Sequence, residues 1–172
     1  MKYKVSPTQQ ERVMRGDDFI ISKTDLKGRI SYCNRVFIEF SGYTESELLG
    51  APHNLIRHPD MPRGVFKLLW DTVSKGDEIF AYVKNMSKDG GYYWVNANVT
   101  PNRDLQGTIE GYFSVRRMPS RGAIGAVADL YRAMLDEEQR AGPRDACDAS
   151  LALVNTILSQ KGVSYEQFVL SL

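Results

Sequence analysis

The chain has 172 residues, of which 42% are hydrophobic and 25% charged, values near the globular average that exclude wholesale disorder and suit one domain with some extra helix. Its 22 lysines and arginines nearly balance 21 aspartates and glutamates, so there is no broad electrostatic footprint for nucleic acid or an anionic membrane. No apolar run reaches membrane-span length, Met1-Lys2-Tyr3 opens no signal peptide, and Cys33 and Cys147 form neither a disulfide framework nor a metal-ligand spacing. These features lead to the expectation of a reduced, cytoplasmic, metal-free protein with no nucleic-acid partner and no membrane span.

Residues 1–18 are polar, with a short helical possibility over 8–14. "FIISKTD" and "RISYC", joined by the turn "DLKGR", read as a hairpin. Asn34 occupies a helix-cap position before Val36, Phe37 and Phe40, and "YTESELLG" has capping-box spacing between Thr44 and Glu47, with Gly50 placed to stop the helix. A longer helix over 61–75 carries Val65, Phe66, Leu69, Trp70 and Val73 at helical intervals. Three strands follow, "EIFAYVKNM", "YYWVNANVT" and "GTIEGYFSVRR", with a tight turn at "SKDGG" and a looser connection at "PNRDLQG". This order describes an α+β domain around one five-stranded antiparallel sheet.

From Ser120 the character changes. An amphipathic helix runs to Gly142-Pro143, a second carries Leu151, Val154, Ile157 and Leu158, and Ser164 with Gln167 offers another capping box. The chain therefore divides into an N-terminal cap segment over 1–18, a central α+β domain over 19–119 and a C-terminal helical extension over 120–172. The extension has no catalytic motif and reads as partner-seeking.

Alternation places Ile79, Ala81, Val83 and Asn85 on a buried sheet face, with Tyr93, Val95, Ala97 and Val99. A buried carboxamide without a partner costs about 1–3 kcal/mol, so Asn85 needs either a neighbouring loop or the polar edge of a planar ligand. The opposite face, with Phe80, Tyr82 and Trp94, is too apolar to stay wet; the tail helix, the N-terminal segment or a second protomer should cover it. In the last strand Tyr112, Ser114 and Arg116 compete with Phe113, Val115 and Arg117 for the inner face.

Residues 50–66, "GAPHNLIRHPDMPRGVF", gather both histidines, two arginines, an aspartate and three prolines. One reading is structural: Asp60 caps the following helix, and Arg57 and His58 point into water. The other is a ligand site, in which Arg57 and His58 meet a pyrophosphate and Trp70 packs against a ring. Composition leaves both open.

The order "SKTDLKGRISYCNRVFIEFSGYTESELLGAPHNLIRHPDMP", then "LW", "VKN", "KDG", "YYWVNANVTP" and "GYFSVRR", resembles a PAS domain, and within that family the flavin-binding PAS domain of bacterial aerotaxis receptors. The resemblance spans residues 24–117, a little over half of the chain. It implies a PAS fold with short helices on one face of the sheet, and FAD between helices and sheet reporting redox state or oxygen and electron transport. It carries the flavin role to Asn34, His53, Arg57, His58, Asp60, Trp70 and Asn85. Two departures stand out: Ile79 where the family usually has tryptophan, and Met86-Ser87 where it usually has basic residues. No cysteine lies in 50–66, so the cysteine–flavin bond of related light sensors is not expected; Cys33 reads as a small strand residue and Cys147 as inert.

The function these features support is a redox sensor relaying to a homodimer or signalling partner through the outer sheet face and tail helices. The alternative is a ligand-free interaction module. Haem sensing, with His53 or His58 as axial ligand, ranks below both. No nucleophile stands in a recognisable catalytic motif, so an enzyme is not expected.

Overall fold

The computed structural model describes residues 5–172. β1 (Ile20–Asp25), β2 (Ile30–Cys33), β3 (Ile79–Met86), β4 (Tyr92–Arg103) and β5 (Ile109–Arg117) form one sheet in the order β2-β1-β5-β4-β3, every neighbouring pair antiparallel. β4 runs through Pro101 to Arg103, so the expected loose connection begins as strand. The turn that remains is drawn tight by the Asp104 carboxylate, which accepts from the Gln106 and Thr108 amides.

The β3–β4 register sets Ile79 opposite Val99, Ala81 opposite Ala97, Val83 opposite Val95 and Asn85 opposite Tyr93, all buried. It also decides the parity of β5. Ser114 faces Val99 and Arg116 faces Ala97, so Tyr112, Ser114 and Arg116 share the inner face.

α1 (Arg35–Ser41) begins at Asn34, whose Oδ1 accepts from the Phe37 amide at 3.1 Å. α2 (Glu45–Leu48) has the capping box expected of Thr44 and Glu47. A 3-10 turn (His53–Ile56) leads to α3 (Arg63–Val73), shorter than the expected 61–75. Asp60 does not cap α3. Extended Pro62 (φ −62, ψ 146) holds the cap position without a side-chain acceptor, which leaves Asp60 two residues too early; its carboxylate pairs with Lys84 Nζ at 2.6 Å.

The helical expectation for 8–14 is also overturned. β4 reaches past the end of β5, leaving Tyr92 without a strand partner on that side. The Arg12 amide donates to the Tyr92 carbonyl, and the Tyr92 amide to the Gln10 carbonyl, so the segment is extended.

α4 (Arg121–Gln160) is two arms, 121–141 and 143–160, broken at Gly142 (φ 79, ψ 170) before Pro143. The backbone reverses there in a conformation that only glycine adopts readily. The first arm covers the outer sheet face: Tyr131 stacks on Trp94, and its hydroxyl donates to the Tyr82 carbonyl at 2.6 Å. It then passes the free edge of β3 and packs on α3. α5 (Tyr165–Leu170), opened by the Ser164–Gln167 capping box, packs back against β3. None of the described helices is long and apolar enough to cross a membrane.

Candidate functional site

A cavity of about 490 Å³ lies between the inner sheet face, the 3-10 turn and α3. Its volume is typical of small-molecule sites, which span roughly 300–1,000 Å³. Val83, Ala97 and Val99 give it an apolar floor, and Phe66, Leu69 and Trp70 of α3 form the facing wall. Trp70 leans edge-on to Tyr112 (5.3 Å between ring centres) across Gly28. A Cβ at Gly28 would come within 3.3 Å of the Trp70 ring, so the turn's glycine, at φ 73, lets the tryptophan close over it.

Polar groups are set into this apolar shell. Asn85 is buried at 3% exposure, faces the cavity, and its carboxamide hydrogen-bonds no other described residue. Arg116, also 3% exposed, donates from Nη2 to Ser22 Oγ and to His53 Nε2, both at 2.6 Å, and lies over the Phe37 ring. Its Nη1 has no partner among the described residues, nor has the hydroxyl of Thr24, another lining residue. Burial pulls the Arg116 guanidinium down to about 10. Burial, then the adjacent Arg116 charge, pulls His53 down to about 3, which keeps its ring neutral and lets Nε2 accept.

The lining is basic. It includes Lys27, Arg57, Arg63, Lys67 and Arg116, and no described aspartate or glutamate. Arg57 packs over Phe66 (4.5 Å to the ring centre) and donates to the Met61 carbonyl. Its backbone bridges to Asn85 at the edge of β3. Lys67 also pairs with Asp71, and Arg63 donates to the Pro143 carbonyl.

Of the residues singled out in the sequence, His53, Arg57, Trp70 and Asn85 meet at this cavity. Asn34, His58 and Asp60 do not line it. Beyond capping α1, Asn34 accepts from the Ile21 amide and donates to the Phe19 carbonyl, tying α1 to β1. His58 is buried against Tyr92, its Nδ1 accepting from the Asp60 amide, and burial lowers it to about 4. Ser22 and Thr24 carry no site signal in the sequence, and Arg116, with Ser114, stands there only as one of two possible inner sets of the last strand; its alternation with Tyr112 becomes decisive once a neighbour's inner face is assigned. Cys147, read as inert, lines the cavity from the second arm of α4.

Comparison with known proteins agrees with this architecture. The family described as the PAS fold matches residues 30–116. The chain is 43% identical to the aerotaxis receptor of Escherichia coli (strain K12) over 127 residues, 74% of this chain and 25% of the receptor. It is 31% identical to a nitrogen fixation regulatory protein of Klebsiella pneumoniae over 97 residues, 56% of this chain and 20% of that protein. It thus spans a quarter or less of these relatives. Among solved structures, the light state of the blue-light photoreceptor Aureochrome1 LOV superposes with a TM-score of 0.54 at 26% identity, over 70% of this chain and 92% of that one. A light-oxygen-voltage domain studied with a flavin analogue gives 0.54 at 23% identity, over 72% and 87%, a likeness of fold. Since the matched span takes in the cavity-bearing helices and nearly all of β2 to β5, the chain belongs to the PAS family.

Proposed function

We propose that this chain is a flavin-binding redox sensor whose cavity takes FAD, and that it works as a signalling module and not as an enzyme. The observation that carries this reading is Asn85. A carboxamide buried in an apolar cavity without a protein partner is unfavourable by about 1–3 kcal/mol, and a planar ligand with donor and acceptor groups along one edge satisfies it. The unpartnered Arg116 Nη1 and Thr24 hydroxyl fit the same ligand, and a carboxylate-free basic lining fits a diphosphate.

In this reading Asn85, His53 and Trp70 hold the ring system and Arg57 the diphosphate. Asn34, His58 and Asp60 act at one remove. Asp60 fixes Lys84, the neighbour of Asn85 on β3, and Asn34 anchors α1 against β1. Bound flavin supplies reversible electron transfer accompanied by a change in ring-edge protonation. Asn85 answers such a change by reorienting its amide. Three residues along β3, the Tyr82 carbonyl is tied to Tyr131 of α4, so strand and tail helix share one hydrogen bond through which a shift can pass. The outer face over β1 and β5 is left for a second protomer or a signalling partner, in a cytoplasmic setting.

Spectra of the purified chain test the proposal. Oxidised-flavin bands, with FAD released on denaturation and binding at least about tenfold weaker in Asn85→Ala, are expected. No flavin bands after reconstitution with FAD would refute it. One observation favours a ligand-free interaction module instead: Ile79 packs with Leu69, Val73, Val99 and Tyr112 and fills one end of the inner face with protein. That module would dimerise without flavin and be indifferent to Arg57→Ala.

A further inference from the structure

The second arm of α4 returns to the cavity after the break at Gly142. Cys147 on that arm lines the same cavity as the buried Asn85 carboxamide, which has no partner among the described residues. What holds the arm there is a buried carboxylate. Glu138, 8% exposed, accepts through one oxygen, Oε1, from the Gly64 amide at 2.9 Å and from Ser150 Oγ at 2.8 Å. Gly64 lies in the first turn of α3, which has neither a capping side chain of its own nor an acidic residue in that turn. Glu138 thus supplies, from a distant helix, the negative charge and acceptor that this helix start lacks, and it joins both arms of α4 to the cavity wall. The fit is close: a Cβ on Gly64 would lie 2.2 Å from Ser150 Oγ and 3.2 Å from the Met134 methyl.

We infer that the second arm of α4 is a wall of the ligand site, with Cys147 touching the bound ligand and Glu138 acting as the residue that positions arm and α3 together. This rests on the flavin reading above, and it assigns the tail a part in holding the ligand as well as in covering the sheet. Ligand occupancy and docking of the arm are then linked: each stabilises the other, and loosening the carboxylate lets ligand escape past α3.

The test uses the full chain, with FAD as the probe. Alkylation of Cys147 is followed by peptide mass, with buried Cys33 as internal reference, and flavin release is followed by absorbance. FAD is expected to slow Cys147 alkylation at least about tenfold. Glu138→Ala should abolish that protection and speed flavin release about tenfold, as expected when a charged hydrogen-bond partner is lost, whereas Glu138→Gln, which keeps an acceptor, should recover much of both. Gly64→Ala, which favours the helix but crowds Ser150, should behave like Glu138→Ala. Bound flavin with unchanged Cys147 alkylation, or with unchanged release from both Glu138→Ala and Gly64→Ala, overturns this inference and leaves the flavin reading standing. Absence of bound flavin from every sample removes both.

Discussion

Arg116→Met separates ligand binding from folding. Arg116 is buried, and no carboxylate pairs with it among the described residues. Its guanidinium stands at about 10 against an ordinary 12.5, which corresponds to about 3 kcal/mol held against the charged form in the folded state. Methionine is similar in length and removes that penalty. It also removes the hydrogen bonds to Ser22 and His53 and the contact with Phe37, together about 2–3 kcal/mol. The two sides nearly cancel, so flavin-stripped Arg116→Met should unfold within about 1 kcal/mol of the parent, in contrast to the roughly 3–5 kcal/mol lost when one member of a buried ion pair is deleted. Urea denaturation followed through Trp70 and Trp94 fluorescence measures this, and FAD titration should show affinity lower by at least about tenfold. A loss above about 3 kcal/mol with FAD affinity intact would refute the reasoning and make Arg116 a structural pillar.

Stability should depend on pH through both histidines. In the unfolded chain they protonate near 6.5, whereas folded His53 and His58 stay neutral down to about 3 and about 4. The unfolded state therefore binds more protons below 6.5. Stability is fully present above that value and falls as pH drops toward 4, by about 1.4 kcal/mol per pH unit for each histidine. Urea midpoints measured between pH 7 and 5 check it, and a flat profile would contradict it. Tyr131→Phe leaves the Tyr82 carbonyl without its donor and should cost about 1–3 kcal/mol, with faster amide exchange along β3; unchanged exchange would disconnect helix from strand. Gly142→Ala forces a side chain into a glycine-only conformation at about 1–3 kcal/mol. Were α4 to run straight instead, the far end of the second arm would be carried about 27 Å from the break. Limited proteolysis should then cut within 143–160, and an unchanged digestion pattern would count against the expectation.

Much of the architecture was legible because local rules set it. The face division of β3 and β4 follows from strict alternation, both capping boxes from their three-residue spacing, and the break in the tail from Gly142-Pro143. Where two local signals were equal, only pairing decided. β5 carries comparable residues on both faces, and Arg116 emerged as a cavity residue once its register against Ala97 was known. Asp60 looked like a helix cap because aspartate before a proline-rich start commonly is one, but Pro62 moved the helix start along the chain and Lys84 offered an opposite charge. Glu138 and Cys147 were not legible at all. Their significance depends on where the chain returns after Gly142, a long-range property that no window of sequence carries.

The free flank of β3 has no neighbouring strand. Its outward side is met by a short backbone bridge from Arg57 at Asn85, by a phenol at the Tyr82 carbonyl, and at the Lys84 amide by the thioether sulfur of Met61 at 3.2 Å, a weak acceptor. A strand zipped by a full ladder on one side and pinned at scattered points on the other is stiff along its length and compliant sideways. It can roll by a fraction of an ångström without unzipping, while neighbouring strands, laddered on both flanks over most of their length, resist such motion. The residue at the heart of the proposed sensor sits on one of the two edge strands of this sheet.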